Sequence, residues 1–156
     1  MMRLGIALTC LVAAALNVSA LTIDMSTLGS QYYFTRDDGV THNMKAPEIQ
    51  AFLEASPRNV DFGGAALTEL YKTPGDDLTF TPTGDYGTYE NLWLYVKGGK
   101  PSPNAYFINL SALNYSYGQE IVLENFWPGK KGSISHSAVL GSPGTGKTHG
   151  VPDTGS

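Results

Sequence analysis

Short runs of β-forming residues, separated by turn residues about every 8 to 12 positions, dominate the chain from residue 60 onward. Segments rich in Gly, Pro, Asp and Ser separate them and favour turns. No helical crossover of about a dozen residues lies between these runs, so the pattern predicts antiparallel pairing and no parallel sheet. With one earlier strand at 32–35, the predicted strands are 66–72, 78–81, 86–89, 92–97, 105–110, 120–123 and 133–140.

Alternation within two of these runs predicts which face of the sheet is buried. In 92–97 the even positions are aliphatic, whereas the odd positions are Trp93, Tyr95 and Lys97, so the odd positions are expected to form an aromatic, partly exposed face. In 133–140 the pattern places His136 on an apolar side with Ile134, Ala138 and Leu140, and it places Ser133, Ser135 and Ser137 on a solvated side.

One segment has the period of a helix. Residues 46–55 place Ile49, Phe52 and Leu53 at i, i+3 and i+4, with Pro47 in the first turn and Pro57 as a stop signal. The helix is short, so it needs tertiary packing to persist. Together these elements predict an all-β fold, an antiparallel, jelly-roll-like β-sandwich over 21–140 with one short N-terminal helix.

The N-terminus has the features of a secretory leader. Arg3 precedes an apolar run over 4–16, and Val18-Ser19-Ala20 matches a small-residue cleavage pattern, so 1–20 is predicted to be a signal peptide cleaved after Ala20. The single cysteine, Cys10, would leave with the leader, and the exported domain would fold without disulfides.

Charge narrows the range of partners. The full chain has ten basic and 14 acidic residues. Loss of Arg3 leaves nine basic residues against 14, a net charge of −5 with neutral histidines. An acidic domain argues against nucleic acid or an anionic membrane surface as a partner.

The C-terminal residues Val151, Pro152, Asp153, Thr154, Gly155 and Ser156 resemble the motif that opens the PEP-CTERM family of bacterial sorting signals. The resemblance is to the Val-Pro-Asp-Ser-Gly variant, with Thr154 where Ser is usual. It implies export and recognition by an exosortase-type machinery. A complete signal continues into a hydrophobic helix and a basic tail, so we expect the chain to be truncated after Ser156. Residues 141–150 are expected to be a flexible linker.

The order of features from about residue 69 to residue 141 resembles the exported domain often found before such signals. The segments that carry the resemblance are 69–72, 94–99, 105–110, 126–128 and 134–136. It implies a β-sandwich with a structural or adhesive role at the cell envelope or in the extracellular matrix. The family has no agreed catalytic activity, so the resemblance implies no catalytic residue, and we expect a protein that is not an enzyme.

Residues Gly141 to Thr148 satisfy the P-loop pattern G-x-x-x-x-G-K-[ST] in full. A phosphate cradle also needs a helix that starts at the lysine, and the Gly and Pro residues after Lys147 oppose such a helix. We therefore expect a linker here and no bound nucleotide.

Other chemistry-bearing residues have weak patterns. His42, His136 and His149 are not at metal-ligand spacing, and a lone histidine on an apolar face is typical of the core. The carboxylates at 37–38, 76–77 and 85 are explained by turns, although calcium binding by such loops stays open. No cofactor, metal site or catalytic residue is predicted.

Aromatic residues leave an alternative function open. An exposed face with Trp93 and Tyr95 could stack on sugars, which would make the protein an extracellular carbohydrate-binding module with extracellular polysaccharide as its partner. A secreted hydrolase is a third alternative, although no pair of carboxylates is placed by the sequence at the spacing that glycoside hydrolysis needs.

Overall fold

Eight strands and one α-helix make up the described part of the chain in a computed structural model, which describes residues 19–39, 42–73, 75–84, 89–130 and 133–143. Short 3-10 turns lie at Ser30–Tyr32 and Ser111–Leu113. The other elements are β1 (Leu21–Asp24), β2 (Tyr33–Arg36), α1 (Ala46–Glu54), β3 (Thr68–Lys72), β4 (Thr79–Phe80), β5 (Tyr89–Gly98), β6 (Ala105–Asn109), β7 (Ile121–Glu124) and β8 (Ile134–Pro143).

The strands form two sheets that pack face to face. A five-stranded antiparallel sheet has the order β2-β6-β5-β8-β3, and a three-stranded sheet has the order β1-β7-β4. The prediction of an all-β sandwich with one short helix is confirmed. The other strand segments are also close to those predicted from turn spacing. Strand β1 was not predicted, and residues 86–88 lie outside the described residues. The predicted break between the strands 86–89 and 92–97 is wrong, because Tyr89–Gly98 is one strand with a register shift between Glu90 and Trp93.

The prediction that no strands pair in parallel is wrong. Strand β1 runs parallel to β7, from Leu21 opposite Ile121 to Asp24 opposite Glu124. The Leu21 N–H also donates to the Glu120 carbonyl at 2.8 Å. The two strands are neighbours in space but lie near opposite ends of the sequence of the domain. The chain between them contains strands β2 to β6 and α1, so the parallel pair needs no separate crossover helix.

The inter-sheet core lies between the two sheets. The even positions of β5, Leu92, Leu94 and Val96, are all at most 5% exposed there, so their predicted burial is confirmed. They pack with aliphatic residues of the smaller sheet, including Ile23 and Ile121.

The helix-side core lies on the other face of the five-stranded sheet. Here α1 contributes Ile49 and Leu53, which are 1% and 0% exposed. The segment after the helix adds Phe62 and Leu67, also at most 4% exposed. Both faces of the larger sheet are therefore covered, and the molecule has three layers.

The helix itself has the predicted extent to within one residue. Pro47 lies in its first turn, where no intrahelical N–H partner is needed. The Glu48 carboxylate accepts a hydrogen bond from the Lys45 backbone N–H at 2.8 Å, which satisfies a donor that precedes the helix.

Strand β8 departs from the predicted alternation. The register shifts between Lys97 and Gly98 of β5, which pair with His136 and Ile134. The bulge turns Ile134 into the inter-sheet core, while Ala138 and Leu140 pack in the helix-side core.

The predicted solvated face of β8 is likewise wrong for two of its three serines. Ser135 is exposed, but Ser133 is 9% and Ser137 0% exposed, because both faces of this central strand are covered. The strand also continues past the predicted domain boundary. Gly141, Ser142 and Pro143 pair with neighbouring strands and do not belong to a linker.

Residues 1–18, which belong to the predicted leader, and residues 144–156, which include most of the predicted linker and the whole predicted sorting motif, lie outside the described residues. Within the described segments, no helix combines the length and the apolar character needed to cross a membrane.

Candidate functional site

A cleft of about 340 Å³, with charged groups on one side and apolar groups on the other, lies beside the helix, where the end of β2 and the segment before α1 meet it. Its walls come from three places in the sequence, which the fold brings together on top of the helix-side core. The lining residues are Arg36, Asp38, His42, Met44, Glu48, Ala51 and Phe52.

An ion pair forms one side of the cleft. Arg36, the last residue of β2, donates from Nε to Asp38 Oδ2 at 2.6 Å. The Arg36 side chain is 17% exposed, whereas that of Asp38 is 46% exposed. The carboxylate therefore orients a mostly buried guanidinium, which has further N–H donors besides Nε.

A second polar pair lies on the helix side of the cleft. His42 Nε2 is 3.5 Å from Glu48 Oε1, while Glu48 Oε2 accepts from the Lys45 N–H. The Lys45 N–H is the main cause that lowers the pKa of Glu48, and the proximity of His42 adds to it, although burial opposes the shift. Glu48 is thus held as a carboxylate at neutral pH.

The floor of the cleft is connected to the sheet by Tyr95. Its hydroxyl is hydrogen-bonded to the backbone of Met44, one of the lining residues. Burial raises the pKa of Tyr95, while the Met44 hydrogen bond and the nearby Arg36 charge act in the opposite direction. Tyr95 is therefore a neutral phenol that positions the segment carrying the cleft.

The apolar wall is formed by Ala51 and Phe52 of α1. The Phe52 ring stacks on Phe107 with centroids 4.6 Å apart, and the Arg58 guanidinium lies 3.6 Å from the Phe52 centroid. Because these two groups occupy the faces of the ring, Phe52 offers its edge to the cleft. Ala51 is exposed and leaves the space above it open.

The predicted sugar-facing aromatics are not at the surface. Trp93 and Tyr95 are 3% and 2% exposed, because α1 and the segment after it cover this face of β5. Phe34 stacks with Trp93 at 6.2 Å, and Tyr95 packs against Phe107 at 5.4 Å. The prediction that these two residues present a stacking surface to a sugar is therefore wrong.

His136 is a buried residue, 7% exposed, as the alternation predicted. It contacts the edge of Tyr95 at 5.7 Å between centroids and lies opposite Lys97 in the strand register. Burial, and then the charges of Lys72 and Lys97, lower the pKa of His136 to about 4, so its imidazole is neutral at pH 7.

Lys97 lies opposite His136 at the polar end of the helix-side face of β5. It is 9% exposed, and its amine donates to Asn43 Oδ1 at 2.8 Å, next to the segment that carries the cleft. Burial is the main cause that lowers its pKa, with the Lys72 charge second. The hydrogen bond from the Lys97 amine therefore orients the Asn43 side chain.

The P-loop-like segment is a strand where it is described. Gly141 pairs with Thr68, and a Cβ at this glycine would lie 3.0 Å from side-chain carbons of both Leu70 and Leu92. Close packing in the sandwich thus accounts for the first glycine of the pattern. The remaining positions, from 144 to 148, lie outside the described residues.

Metal ligands do not converge in the described segments, where no three His, Cys, Asp or Glu side chains are placed to hold an ion. Of the turn carboxylates, Asp37 accepts a 2.6 Å hydrogen bond from Ser102 Oγ, and Asp38 pairs with Arg36. Asp85 lies outside the described residues.

Comparison with protein-family models, with curated proteins and with solved structures gives no match.

The cleft was missed by sequence reasoning. Its polar residues belong to a strand end, a connecting segment and a helix, and they have no diagnostic spacing. The signal available in the sequence was the unusual density of charged and histidine side chains between residues 36 and 48.

Proposed function

We propose that this chain is an exported protein of the cell envelope or extracellular matrix, with a structural or adhesive role and no catalytic activity. The observation that supports the proposal is the position of β1, which starts next to the predicted cleavage site. Leu21, which directly follows the predicted cleavage site, is the first residue of β1 and is hydrogen-bonded to Glu120, whereas Ser19 and Ala20 are exposed. Cleavage after Ala20 would therefore leave β1 intact.

The composition of the folded body supports the same role. Its two cores are built from packed apolar side chains, and the single cysteine, Cys10, lies in the predicted leader, so residues 21–156 contain no cysteine and need no disulfide to fold. The resemblance of residues 151–156 to a PEP-CTERM motif adds an exosortase-type machinery as the partner for sorting.

Export is tested by expressing the full chain in a bacterium and determining the N-terminus and the location of the product. We expect a mature protein that begins at Leu21 and is found outside the cytoplasm. An Ala20→Arg variant, which blocks the small-residue cleavage pattern, serves as the control and should retain the leader. A wild-type protein that keeps residues 1–20 in the cytosol would refute the proposal.

Sorting is tested by sequencing the gene beyond the codon for Ser156. An apolar run followed by arginines supports recognition by an exosortase. A stop codon directly after Ser156 would leave export but remove the proposed sorting.

Carbohydrate binding by Trp93 and Tyr95 is not retained as a second function, because both side chains are buried. No observation of the described residues favours a hydrolase.

A further inference from the structure

The cleft brings groups of opposite charge into one small space. Arg36 is positive, whereas Asp38 and Glu48 are negative, and His42 lies beside Glu48. An anionic ligand would meet two carboxylates, and a cationic ligand would meet the guanidinium. Hydroxyl groups both donate and accept hydrogen bonds, so a neutral polyhydroxylated ligand can use all of these partners.

The opposite wall is apolar. Met44 is 8% exposed at the floor, while Ala51 and the edge of Phe52 form the side that belongs to α1. A sugar ring has the matching division, with hydroxyls around its edge and C–H groups on its faces. The volume of about 340 Å³ is near the lower end of the range of roughly 300 to 1,000 Å³ for small-molecule sites. It suits a ligand of one or two rings.

The polar groups are fixed before any ligand arrives. Asp38 holds Arg36, the Lys45 N–H holds Glu48, and the Tyr95 hydroxyl is bonded to the backbone of Met44. Preorganised partners lower the entropy cost of binding, so a small cleft of this kind can bind a hydrophilic ligand that buries little apolar surface.

We propose that this cleft is a binding site for a neutral saccharide of one or two rings, held between Arg36, Glu48 and the apolar wall at Ala51. The site is separate from the buried Trp93 and Tyr95 face. It does not depend on export, so the proposal can fail while the proposed function stands, and the reverse also holds.

The test is a titration of the purified protein with four probes, followed by NMR of its backbone amides. The probes are a neutral hexose, a neutral disaccharide, a uronic acid and an amino sugar. We expect at least one neutral probe to saturate with a Kd of about 1 mM and to shift the amides of Ala51 and Phe52. The charged analogues are expected to bind about tenfold more weakly.

Ala51→Tyr fills the cleft from an exposed helix position and is expected to weaken binding at least about tenfold. Ala112→Tyr is the matched control, since Ala112 is exposed on the 3-10 turn Ser111–Leu113 and does not line the cleft. Glu48→Gln is a second variant that keeps an oxygen for the Lys45 N–H but removes the charge; it is expected to lower affinity while the circular dichroism spectrum stays unchanged.

Three outcomes overturn the proposal. One is the absence of saturable shifts with every neutral probe. Another is equal or tighter binding of the uronic acid or the amino sugar. The third is unchanged affinity in a folded Ala51→Tyr protein or, if that variant does not fold, in Glu48→Gln.

Discussion

The two faces of the five-stranded sheet are both buried, but they are covered in different ways. On the inter-sheet side, the aliphatic residues Leu92, Leu94 and Val96 meet a second sheet. On the helix side, Trp93 and Tyr95 meet a nine-residue helix and the segment after it. Large aromatic side chains bury about 150 to 250 Å² each, so a small cover still yields a substantial core.

The faces also differ in where polar groups can lie. The inter-sheet face of β5 is apolar from Leu92 to Val96, whereas the helix-side face ends in Lys97 opposite His136. The helix and the segment after it do not cover the edge of this sheet face, and the cleft lies at that edge. A sheet face that is covered incompletely can therefore combine core packing with a binding site.

The strongest test of the comparison replaces one residue on each face of β5. Trp93→Ala is expected to lower the free energy of unfolding by about 4 kcal/mol, and Leu94→Ala by about 3 kcal/mol, because each leaves a cavity in a closed core. Urea denaturation of both variants measures the two values. A loss below about 0.5 kcal/mol for Trp93→Ala is typical of an exposed side chain. Such a result would contradict the burial of Trp93 in the helix-side core.

A smaller effect is expected where the inter-sheet face is tightest. A Cβ on Gly98 would lie 2.8 Å from Trp127 Cζ2 and 2.9 Å from Cη2. Gly98→Ala should therefore cost about 2 kcal/mol through overpacking, as measured by urea denaturation. Gly99→Ala is the control, because its Cβ would have no heavy atom within 4 Å; equal losses in the two variants would contradict the close approach of Trp127.

The attachment of the helix-side cover depends on Gln50. Its Oε1 accepts from the Leu67 N–H at 2.8 Å, and its Nε2 donates to the Ala65 carbonyl at 3.0 Å. Gln50→Ala is expected to cost about 1.5 kcal/mol, because two partly buried backbone groups lose a partner. Glu54→Ala removes only the exposed acceptor of Gln50 and should change stability by less than about 0.5 kcal/mol. Urea denaturation measures the loss in both variants.

The smallest effect concerns the polar end of the helix-side face. The pKa of His136 falls from 6.5 in the unfolded chain to about 4 in the fold. Between these values the unfolded chain binds more protons at this position, so the contribution of His136 to stability decreases as the pH falls from 6.5 to 4. By about pH 5.5, one pH unit below the unfolded value, we expect a loss of about 1 kcal/mol.

The measurement for this effect is the difference between wild type and His136→Gln in urea midpoints across that pH range. The variant should lack this part of the pH dependence. Identical slopes for the two proteins would show that His136 is not held neutral by burial and by the charges of Lys72 and Lys97.

Local patterns explain which parts of this fold were predictable. The even positions of β5 were placed correctly because alternation and turn spacing are local, and α1 was found from Ile49, Phe52 and Leu53. The packing of α1 and the segment after it over Trp93 was not predictable, because no local pattern in residues 46–67 indicates which face of the sheet they contact. The bulge near Lys97 was equally hidden, since it depends on the partner strand.

The candidate site was not predictable for a related reason. Arg36 and Glu48 are separated along the chain and meet only because β2 is at the edge of the sheet and α1 packs on its face. Sequence reasoning singled out Trp93 and Tyr95 for the alternative function of sugar binding. Their aromatic rings suit that role, but in the fold both side chains are buried in the helix-side core.

The pairing of β1 with β7 has a consequence for synthesis. Leu21 reaches its partner Ile121 only after the ribosome has made nearly all the strands of the domain. Such distant pairing slows closure of the chain, because loop entropy is lost before the contact forms. Strand β1 can pair with β7 only once most of the domain is available, so the smaller sheet is completed late in folding.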